Sequence, residues 1–224
     1  MNKPRIRSSY IPNNYGRLFQ TLISITKPEA CVEIGVLDGY STVHIGLALK
    51  SLGTGHLYAY DLFEDYPYNN MEYKEVLSRI KRLDLSNEVT LRKRDIMEAS
   101  SDFGISSIDF MHVDISNSGR TIRNVLTVWD EKIKPGGMLI FEGGSPIRDE
   151  ISWMNKFNKE KIFPELKDNI VLNTNYTYVV LHPFPSLIVC SKHLDYCSMN
   201  WIEFGYDKEK DRTDISEDDL FNDE

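Results

Sequence analysis

Short apolar runs alternate with amphipathic stretches along most of the chain. Runs of strand length begin at Ala30, His56, Glu88, Ile108 and Met138, and segments with apolar residues three or four positions apart lie between them. Strands that alternate with helices are typical of parallel strands joined by crossover helices on both faces of a sheet. The pattern therefore predicts an α/β fold with a Rossmann-like, doubly wound sheet.

The last two strand-like segments have a different connection. Residues 170–181 and 186–191 are apolar, and only the short proline-containing turn at 182–185 separates them. A connection this short joins antiparallel strands, because a parallel crossover needs a dozen or more residues. We therefore expect seven strands, mostly parallel with a C-terminal antiparallel hairpin, and one helix over 148–169 before that hairpin.

Length and composition favour a single globular domain. The chain has 224 residues, of which 41% are hydrophobic and 27% charged, values ordinary for a soluble α/β protein. No apolar run approaches membrane-spanning length, and the first residues lack the apolar core of a signal peptide, so we expect a cytoplasmic protein without a membrane partner. We predict an N-terminal arm or lid at 1–14, the main domain at 15–192 and an acidic extension at 193–224.

Most of the negative charge lies at the C-terminal end. The formal net charge is −8, and residues 207–224 contain nine acidic and three basic residues, which leaves the rest of the chain nearly neutral. Nucleic-acid enzymes usually carry a basic face, so we expect no nucleic-acid partner. The three cysteines, Cys31, Cys190 and Cys197, lack metal-ligand spacing. The first two are expected to be buried as small apolar side chains.

The motif CVEIGVLDGYST at 31–42 combines a strand, a glycine turn and the start of a helix. Gly35 and Gly39 bracket the turn, and Ser41 or Thr42 could cap the helix. The spacing differs from the G-x-G-x-x-G of dinucleotide-binding folds, in which a helix N-terminus faces a pyrophosphate.

Acidic side chains in this motif indicate a different ligand. Glu33 and Asp38 would repel a phosphate but suit a molecule that carries an ammonium group, a sulfonium group and ribose hydroxyls. S-adenosylmethionine has all three. The motif EIGVLDGYST resembles the first motif of class I methyltransferases, above all the small-molecule O-methyltransferases, and KPGGMLIFE at 134–142 is similar to a later signature of that class.

The resemblance implies methyl transfer from S-adenosylmethionine to a hydroxyl of a small molecule, such as a sugar or a secondary metabolite. It also implies that the first motif binds the cofactor through Glu33, Gly35, Asp38, Gly39 and Ser41.

Acidic residues at later strand ends extend the predicted cofactor site. Asp61 closes the second strand, where a carboxylate can accept hydrogen bonds from both hydroxyls of a ribose. Phe63 follows and is predicted to pack on the adenosine, although a phenylalanine in a loop is as often simply part of the core. By resemblance, Asp95 would bind the adenine amino group with Ile96 against the ring. The alternative for Asp95 is a helix cap.

The fourth and fifth strands supply the predicted catalytic residues. Asp114 ends the fourth strand and Glu142 ends the fifth, at the sheet edge where open α/β folds bind ligands. His112 faces the same way as Asp114, although a buried, hydrogen-bonded histidine is the alternative. We predict that Asp114 and Glu142, with His112 behind them, help the acceptor lose its proton, and that Asp114 also contacts the cofactor.

A magnesium site is a further expectation from the resemblance. Related enzymes of the catechol type hold magnesium with acids at the ends of the fourth and fifth strands, which are Asp114 and Glu142 here. The family pattern D-x-D-H is incomplete, because Asn117 stands in place of the second aspartate and the histidine is missing. The possible ligand set is therefore two carboxylates and one amide.

Three other functions stay open at the level of sequence. The incomplete D-x-D-H pattern is compatible with a binding protein that keeps the cofactor pocket without activity. A nicotinamide-dependent oxidoreductase is disfavoured by the glycine spacing. A nucleic-acid methyltransferase is opposed by the charge and by the absence of an Asn/Asp-Pro-Pro-aromatic motif. The sequence leaves the acceptor unidentified and a homodimer open.

Overall fold

The computed structural model describes residues 6–66, 71–182 and 184–194. The described residues up to His193 belong to one compact unit, and the unit from Leu194 onward lies outside the described residues except for Leu194 itself. The predicted acidic extension and Cys197 are therefore outside this description. Among the described residues, no helix combines the length and the apolar composition that crossing a bilayer requires.

Seven strands form the sheet, as the sequence predicts. They are β1 Ala30–Ile34, β2 His56–Asp61, β3 Val89–Lys93, β4 Ile108–Val113, β5 Ile133–Glu142, β6 Tyr176–Leu181 and β7 Leu187–Lys192. Their order across the sheet is β3-β2-β1-β4-β5-β7-β6. The first five strands pair in parallel, whereas β7 pairs antiparallel with both β5 and β6. The predicted fold and the C-terminal hairpin are confirmed.

Helices connect the strands within the described residues. They are α1 Tyr15–Thr26, α2 Tyr40–Leu52, α3 Tyr73–Arg82, α4 Ile96–Ala99, α5 Gly119–Trp129, α6 Pro146–Asp149, α7 Ser152–Lys156, α8 Ile162–Asp168 and α9 Ile170–Asn175. The apolar residues form one buried cluster with α1, α2 and α3 on one face of the sheet, and a second with α5 and α8 on the other. The strands are apolar on both sides because both faces are covered.

The order of connection reverses between β1 and β4. From β1 the chain builds outward through β2 to β3, and it then returns to the other side of β1 with β4. The loops after β1 and β4 therefore diverge, which leaves a crevice at the carboxyl ends of the two strands. Gly35 follows β1 and Asp114 follows β4, so the fold brings these two predicted site residues to the same edge.

Two predicted boundaries are wrong between β5 and the hairpin. The single helix predicted over 148–169 is replaced by three short helices, α6 to α8. Asp149 interrupts it, because its carboxylate accepts hydrogen bonds from the backbone N–H groups of Ile162 and Phe163 at the start of α8, both at 2.8 Å. The apolar segment 170–181 begins with α9, and only its second half is strand.

The start of α2 also differs from the prediction. Gly39 is the N-cap residue, and no side chain caps this helix. Ser41 and Thr42 lie in the first turn, where both are buried. Thr42 is turned toward the sheet, because its hydroxyl donates a hydrogen bond to Glu33.

Candidate functional site

A cavity of about 740 Å³ opens at the carboxyl ends of β1, β2 and β4. Five of the predicted site residues line it, namely Gly35, Asp61, Asp95, Ile96 and Asp114. The remaining wall includes residues that were not predicted as ligand contacts: Ser9, Leu37, Leu62, Tyr66, Ile115, Ser116, Trp153, Phe157 and Lys159. The fold thus gathers residues from several distant segments around one space.

The carboxylate of Asp61 is held in place by backbone groups. Its Oδ2 accepts hydrogen bonds from the N–H groups of Val36 at 2.7 Å and Leu37 at 3.0 Å, and its Oδ1 accepts from Phe63 N–H at 2.7 Å. Three backbone N–H groups therefore fix the orientation of this carboxylate at the cavity wall. Asp61 therefore ties the turn after β1 to the end of β2 and also faces the ligand space.

The turn after β1 depends on Gly35. Its φ is +90°, and a Cβ at this position would lie 1.9 Å from the backbone oxygen of Asp114. Leu37, in the same turn, also has a positive φ of 49°. Backbone strain of this kind persists only where its surroundings hold it. Here the two hydrogen bonds from Val36 and Leu37 to Asp61 fix the turn.

Asp95 has the alternative role that the sequence left open. Its Oδ1 accepts a hydrogen bond from Met97 N–H at 2.8 Å, which makes it the N-cap residue of α4. Asp95 and Ile96 nevertheless line the cavity. The cap interpretation is confirmed, and the contact with adenine stays a prediction.

Glu33 and His112 belong to a buried hydrogen-bonded chain behind the cavity wall. Glu33 accepts from Thr42, and its Oε1 lies 3.1 Å from His112 Nδ1. The other ring nitrogen, His112 Nε2, lies 3.2 Å from the hydroxyl of Tyr10, which is also hydrogen-bonded to Asp114. Both Glu33 and His112 are fully buried. His112 is therefore a buried, hydrogen-bonded histidine, as the alternative interpretation of the sequence stated.

Four other predicted cofactor contacts do not line the cavity. Asp38 is buried, and both its oxygens accept from the Arg7 side chain, at 2.8 Å and 3.0 Å. Burial alone would raise the pKa of Asp38, but its hydrogen bonds with Arg7 hold that pKa below the usual value. Gly39 and the buried Ser41 belong to the start of α2. Gly39 closes the turn after β1, because its N–H donates a hydrogen bond to the backbone oxygen of Val36 at 2.8 Å.

Phe63 is the fourth of these residues. It is fully buried and packs edge-to-face on Tyr73 with the ring centroids 5.4 Å apart. Its φ of 50° turns the backbone at the end of β2, and the preceding Leu62 lines the cavity instead. The predicted packing of Phe63 on an adenosine has no support in this geometry.

Asp114, which lines the cavity, has a raised pKa. Burial, together with the negative charge of Glu142, raises its pKa to about 6. The charge of His112 and the hydrogen bond from Tyr10 act in the opposite direction. A carboxylate with such a pKa can accept a proton near neutral pH.

Glu142 is paired with a residue that the sequence analysis missed. Arg148 donates from Nε to Oε1 at 2.7 Å and from Nη2 to Oε2 at 2.9 Å. Asn117 donates from Nδ2 to Glu142 Oε2 at 3.2 Å and to Asp114 Oδ1 at 3.1 Å. The two strand-end carboxylates are therefore bridged by an amide N–H group, and one of them forms a bidentate ion pair.

An aromatic wall with two basic residues forms the far side of the cavity. Trp153 and Phe157 from α7 and the loop after it line the space, and their rings pack 5.9 Å apart. The guanidinium of Arg148 and the ammonium of Lys159 lie 5.5 Å and 5.4 Å from the centroid of Trp153. The sequence presents these aromatic residues as part of a helical apolar pattern, so only tertiary structure identifies them as cavity wall.

A second, smaller cavity of about 470 Å³ lies between β2, β3 and the segment after α4. Its polar groups are paired with one another, because Asp102 accepts from Tyr60 at 3.0 Å and from Arg92 at 2.5 Å. The glycine turn and the strand-end acids belong to the larger cavity. We therefore take the larger cavity as the candidate site.

Comparison with known sequences gives one family match. A family model described as a methyltransferase domain matches residues 32–142. This range covers β1 to β5 and with them Gly35, Asp61, Asp95 and Asp114. No curated protein matches the chain in sequence.

Solved structures share the fold at low sequence identity. An O-methyltransferase from Bacillus cereus in complex with SAH is 18% identical, with a TM-score of 0.61, and the match covers 85% of this chain and 84% of that one. The O-methyltransferase TomG from Streptomyces achromogenes in complex with SAM is 16% identical, with a TM-score of 0.61 and coverage of 85% and 83%. A SAH-bound methyltransferase from Podospora anserina is 12% identical, with a TM-score of 0.63 and coverage of 83% and 80%.

Proposed function

We propose that this chain, whose residues 32–142 match the model of a methyltransferase domain, transfers a methyl group from S-adenosylmethionine to a hydroxyl oxygen of a small molecule. One observation carries the proposal: a single cavity brings the glycine turn and Asp61 to the same space as Asp114. A ligand held by the first two would present a reactive group near the third. The O-methyltransferases among the structural neighbours support a hydroxyl acceptor.

The cofactor would occupy the half of the cavity that β1, β2 and α4 form. In this proposal Asp61 accepts from the ribose hydroxyls and Asp95 and Ile96 contact the adenine, which is supported by the presence of all three in the cavity wall. When bound, S-adenosylmethionine supplies a methyl group on a sulfonium centre. Glu33, Asp38, Gly39 and Ser41 then act through the turn that they support, and Phe63 is not among the proposed contacts.

The acceptor would occupy the half of the cavity that Trp153, Phe157 and Lys159 line. Aromatic faces pack well on flat rings and on the apolar faces of sugars, and an ammonium group attracts an oxygen-rich or anionic substituent. A small molecule with a ring and several oxygens, such as a sugar or a secondary metabolite, fits this wall.

Asp114 would remove the acceptor's proton. As the new C–O bond forms and the methyl–sulfur bond breaks, the hydroxyl proton moves to the carboxylate of Asp114, which leaves a methyl ether and a neutral thioether. Alignment supplies much of the rate in such an in-line transfer. Tyr10 and His112 would orient Asp114, and Glu142 would act through Asn117 and Arg148.

The magnesium ion that the resemblance implies does not fit the residues present. Both oxygens of Glu142 accept from Arg148, and Asn117 turns its N–H group, which cannot ligate a metal, toward the two carboxylates. Within residues 6–66, 71–182 and 184–194, no three His, Cys, Asp or Glu side chains are grouped as metal ligands. We therefore assign no step to a metal.

The remaining sequence predictions are kept as part of the proposal. The arm at 1–14 is proposed to close over the site, which is supported by Ser9 in the cavity wall and by the burial of Tyr10. We also propose a cytoplasmic location and the absence of a nucleic-acid partner. A homodimer stays an expectation from the sequence.

Calorimetry with S-adenosylmethionine, its demethylated product and NAD tests the cofactor half. We expect binding of the first two, and a loss of roughly 2–3 kcal/mol in affinity for Asp61→Ala, the range for charge-assisted hydrogen bonds. Asp65→Ala is the matched control, because Asp65 is exposed and pairs with Lys93 away from the cavity. Tight NAD binding without S-adenosylmethionine binding would favour an oxidoreductase.

An acceptor screen tests the reaction. Release of demethylated cofactor is measured with panels of phenols, sugars and other hydroxyl compounds. Turnover that is lost in Asp114→Asn supports the proposed base. Cofactor binding with no turnover on any panel would favour the alternative of a binding protein.

A further inference from the structure

Two carboxylates at the ends of neighbouring strands usually need a nearby cation that balances their negative charges. Asp114 follows β4, Glu142 is the last residue of β5, and Glu142 is only 6% exposed. Burial and, after it, the negative charge of Glu142 raise the pKa of Asp114, as expected for two like charges in a poorly solvated place. Here the compensating charge comes from the chain itself, since Arg148 is 5% exposed and pairs with Glu142.

A tight turn after β5 brings Arg148 close to Glu142. Gly143 and Gly144 both have positive φ values, of 116° and 94°, and α6 follows with Pro146 at its start. Ser145 caps this short helix by accepting from the N–H group of Arg148. The turn therefore points the arginine back toward the strand that ends in Glu142.

The guanidinium of Arg148 forms hydrogen bonds with both carboxylate oxygens of Glu142, the atoms that would otherwise ligate a metal ion. Its two N–H groups form the parallel, bidentate pair that arginine makes with carboxylates, and Asn117 adds a third donor on Oε2. The orientation of Asn117 is fixed, because exchanging its oxygen and nitrogen would place a carbonyl against both carboxylates. A metal ion at Glu142 would have to displace the guanidinium and rotate this amide.

Two buried polar atoms at the same place have no hydrogen-bond partner among the described residues. They are Nη1 of Arg148 and Oδ1 of Asn117, whose residue is 1% exposed. Buried polar groups are rarely left unpaired in native proteins, so these atoms indicate a missing oxygen or hydroxyl partner. Trp153 packs on Arg148 and lines the cavity, which places this group directly behind the acceptor wall.

We propose that Arg148 is the resident cation of the acceptor site: it takes the place of a divalent metal at Glu142, so methyl transfer needs no metal, and its Nη1 is left for an oxygen partner. The inference rests on the proposed function for its reference to an acceptor. Its statement about metal binding stands on the contacts of Glu142 alone.

Binding of Mn²⁺ to the full chain, followed by electron paramagnetic resonance, tests the inference. The wild type should bind no more Mn²⁺ than Glu142→Gln, which reports the background from other acidic residues. Arg148→Met should gain one site with at least about tenfold higher affinity than this background. The double variant Arg148→Met/Glu142→Gln should lose the site, and Arg148→Lys, which keeps the charge, should not gain it.

Three outcomes would overturn the inference. One is a wild-type Mn²⁺ site that Glu142→Gln removes, and this comparison decides the matter even where Arg148→Met does not fold, since breaking a buried ion pair is destabilising. Another is a folded Arg148→Met that gains no site. The third is a turnover that a chelator abolishes and Mg²⁺ restores.

Cofactor calorimetry on the same samples separates this inference from the proposed function. A chain that fails to bind S-adenosylmethionine contradicts methyl transfer but leaves the metal result as it stands. A wild type that binds S-adenosylmethionine and also binds Mn²⁺ at a site that Glu142→Gln removes contradicts the role of Arg148 and leaves methyl transfer intact.

Discussion

The two halves of the candidate site are built in different ways. The half assigned to the cofactor comes from one continuous part of the chain, from Gly35 to Ile96, and backbone N–H groups fix its central carboxylate, Asp61. The half assigned to the acceptor is assembled from the N-terminal segment, the end of β4 and the short helices after β5. There, side chains hold one another through buried ion pairs and hydrogen bonds.

This difference determines how each half responds to substitution. A backbone-built site tolerates changes in side chains that only support it, but not a change that moves the main chain. A side-chain network fails when one member leaves a buried partner unpaired. The following predictions probe each half where its construction makes it most sensitive.

The largest effect is expected for Gly35→Val. The new Cβ would overlap the backbone oxygen of Asp114, with an ideal separation of 1.9 Å, and valine disfavours a φ of +90°. We expect a loss of cofactor binding and of at least about 3 kcal/mol in the free energy of unfolding, measured by calorimetry and urea denaturation.

Gly53→Ala is the control for Gly35→Val. Gly53 also has a positive φ, of 71°, but no atom beyond its chain neighbours lies within 4 Å of the place that a Cβ would occupy. Backbone strain alone should cost roughly 1–2 kcal/mol and leave cofactor affinity unchanged. Normal binding and stability in Gly35→Val would mean that the turn after β1 is not packed against the end of β4.

The contrast between the halves also explains what the sequence could predict. The strands, the hairpin, the glycine turn and the acids at strand ends follow from local patterns, because each depends on residues close together in the chain. Glu33, Asp38 and Ser41 lie near the site but face away from the cavity. Their side chains meet His112, Arg7 and the interior, which no local pattern reveals.

The acceptor half could not be predicted in the same way. The pairing of Arg148 with Glu142 requires the interruption of the expected long helix, and that interruption depends on Asp149 capping α8. The burial of Tyr10 against His112 brings together residues that are 102 positions apart in the chain. Such contacts are consequences of the fold, so a single sequence gives no periodic signal for them.

The next effect in size concerns Asp114. As the proposed base it works only when ionised, so kcat/KM should rise with pH through an apparent pKa of about 6, the value to which burial and Glu142 raise it. Asp114→Asn should lower the rate by a factor on the order of 10² to 10⁴ and remove this acid limb. The test is a pH–rate profile on the acceptor identified by the screen.

Glu142→Gln distinguishes whether Asp114 or Glu142 is the base. It removes the negative charge beside Asp114 and should lower the pKa of Asp114, which moves the acid limb to lower pH. An acid limb that persists in Asp114→Asn but disappears in Glu142→Gln would reassign the base to Glu142.

The smallest effect is expected for Tyr10→Phe, which keeps the ring in the buried cluster and removes only the hydroxyl. That hydroxyl lies 3.2 Å from His112 Nε2 and is hydrogen-bonded to Asp114, whose pKa it lowers. Its loss should cost about 1 kcal/mol in the free energy of unfolding and move the acid limb of kcat/KM to higher pH.

Tyr178→Phe provides the comparison. Tyr178 lies on β6 in the C-terminal hairpin, and its hydroxyl donates a hydrogen bond to Leu166 O at 3.1 Å and not to Asp114. It should cost a similar free energy without moving the pH profile. A merely structural Tyr10 would behave in the same way as Tyr178. A shift confined to Tyr10→Phe therefore identifies the arm as a part of the acceptor half that tunes the base, whereas identical profiles would limit Tyr10 to packing.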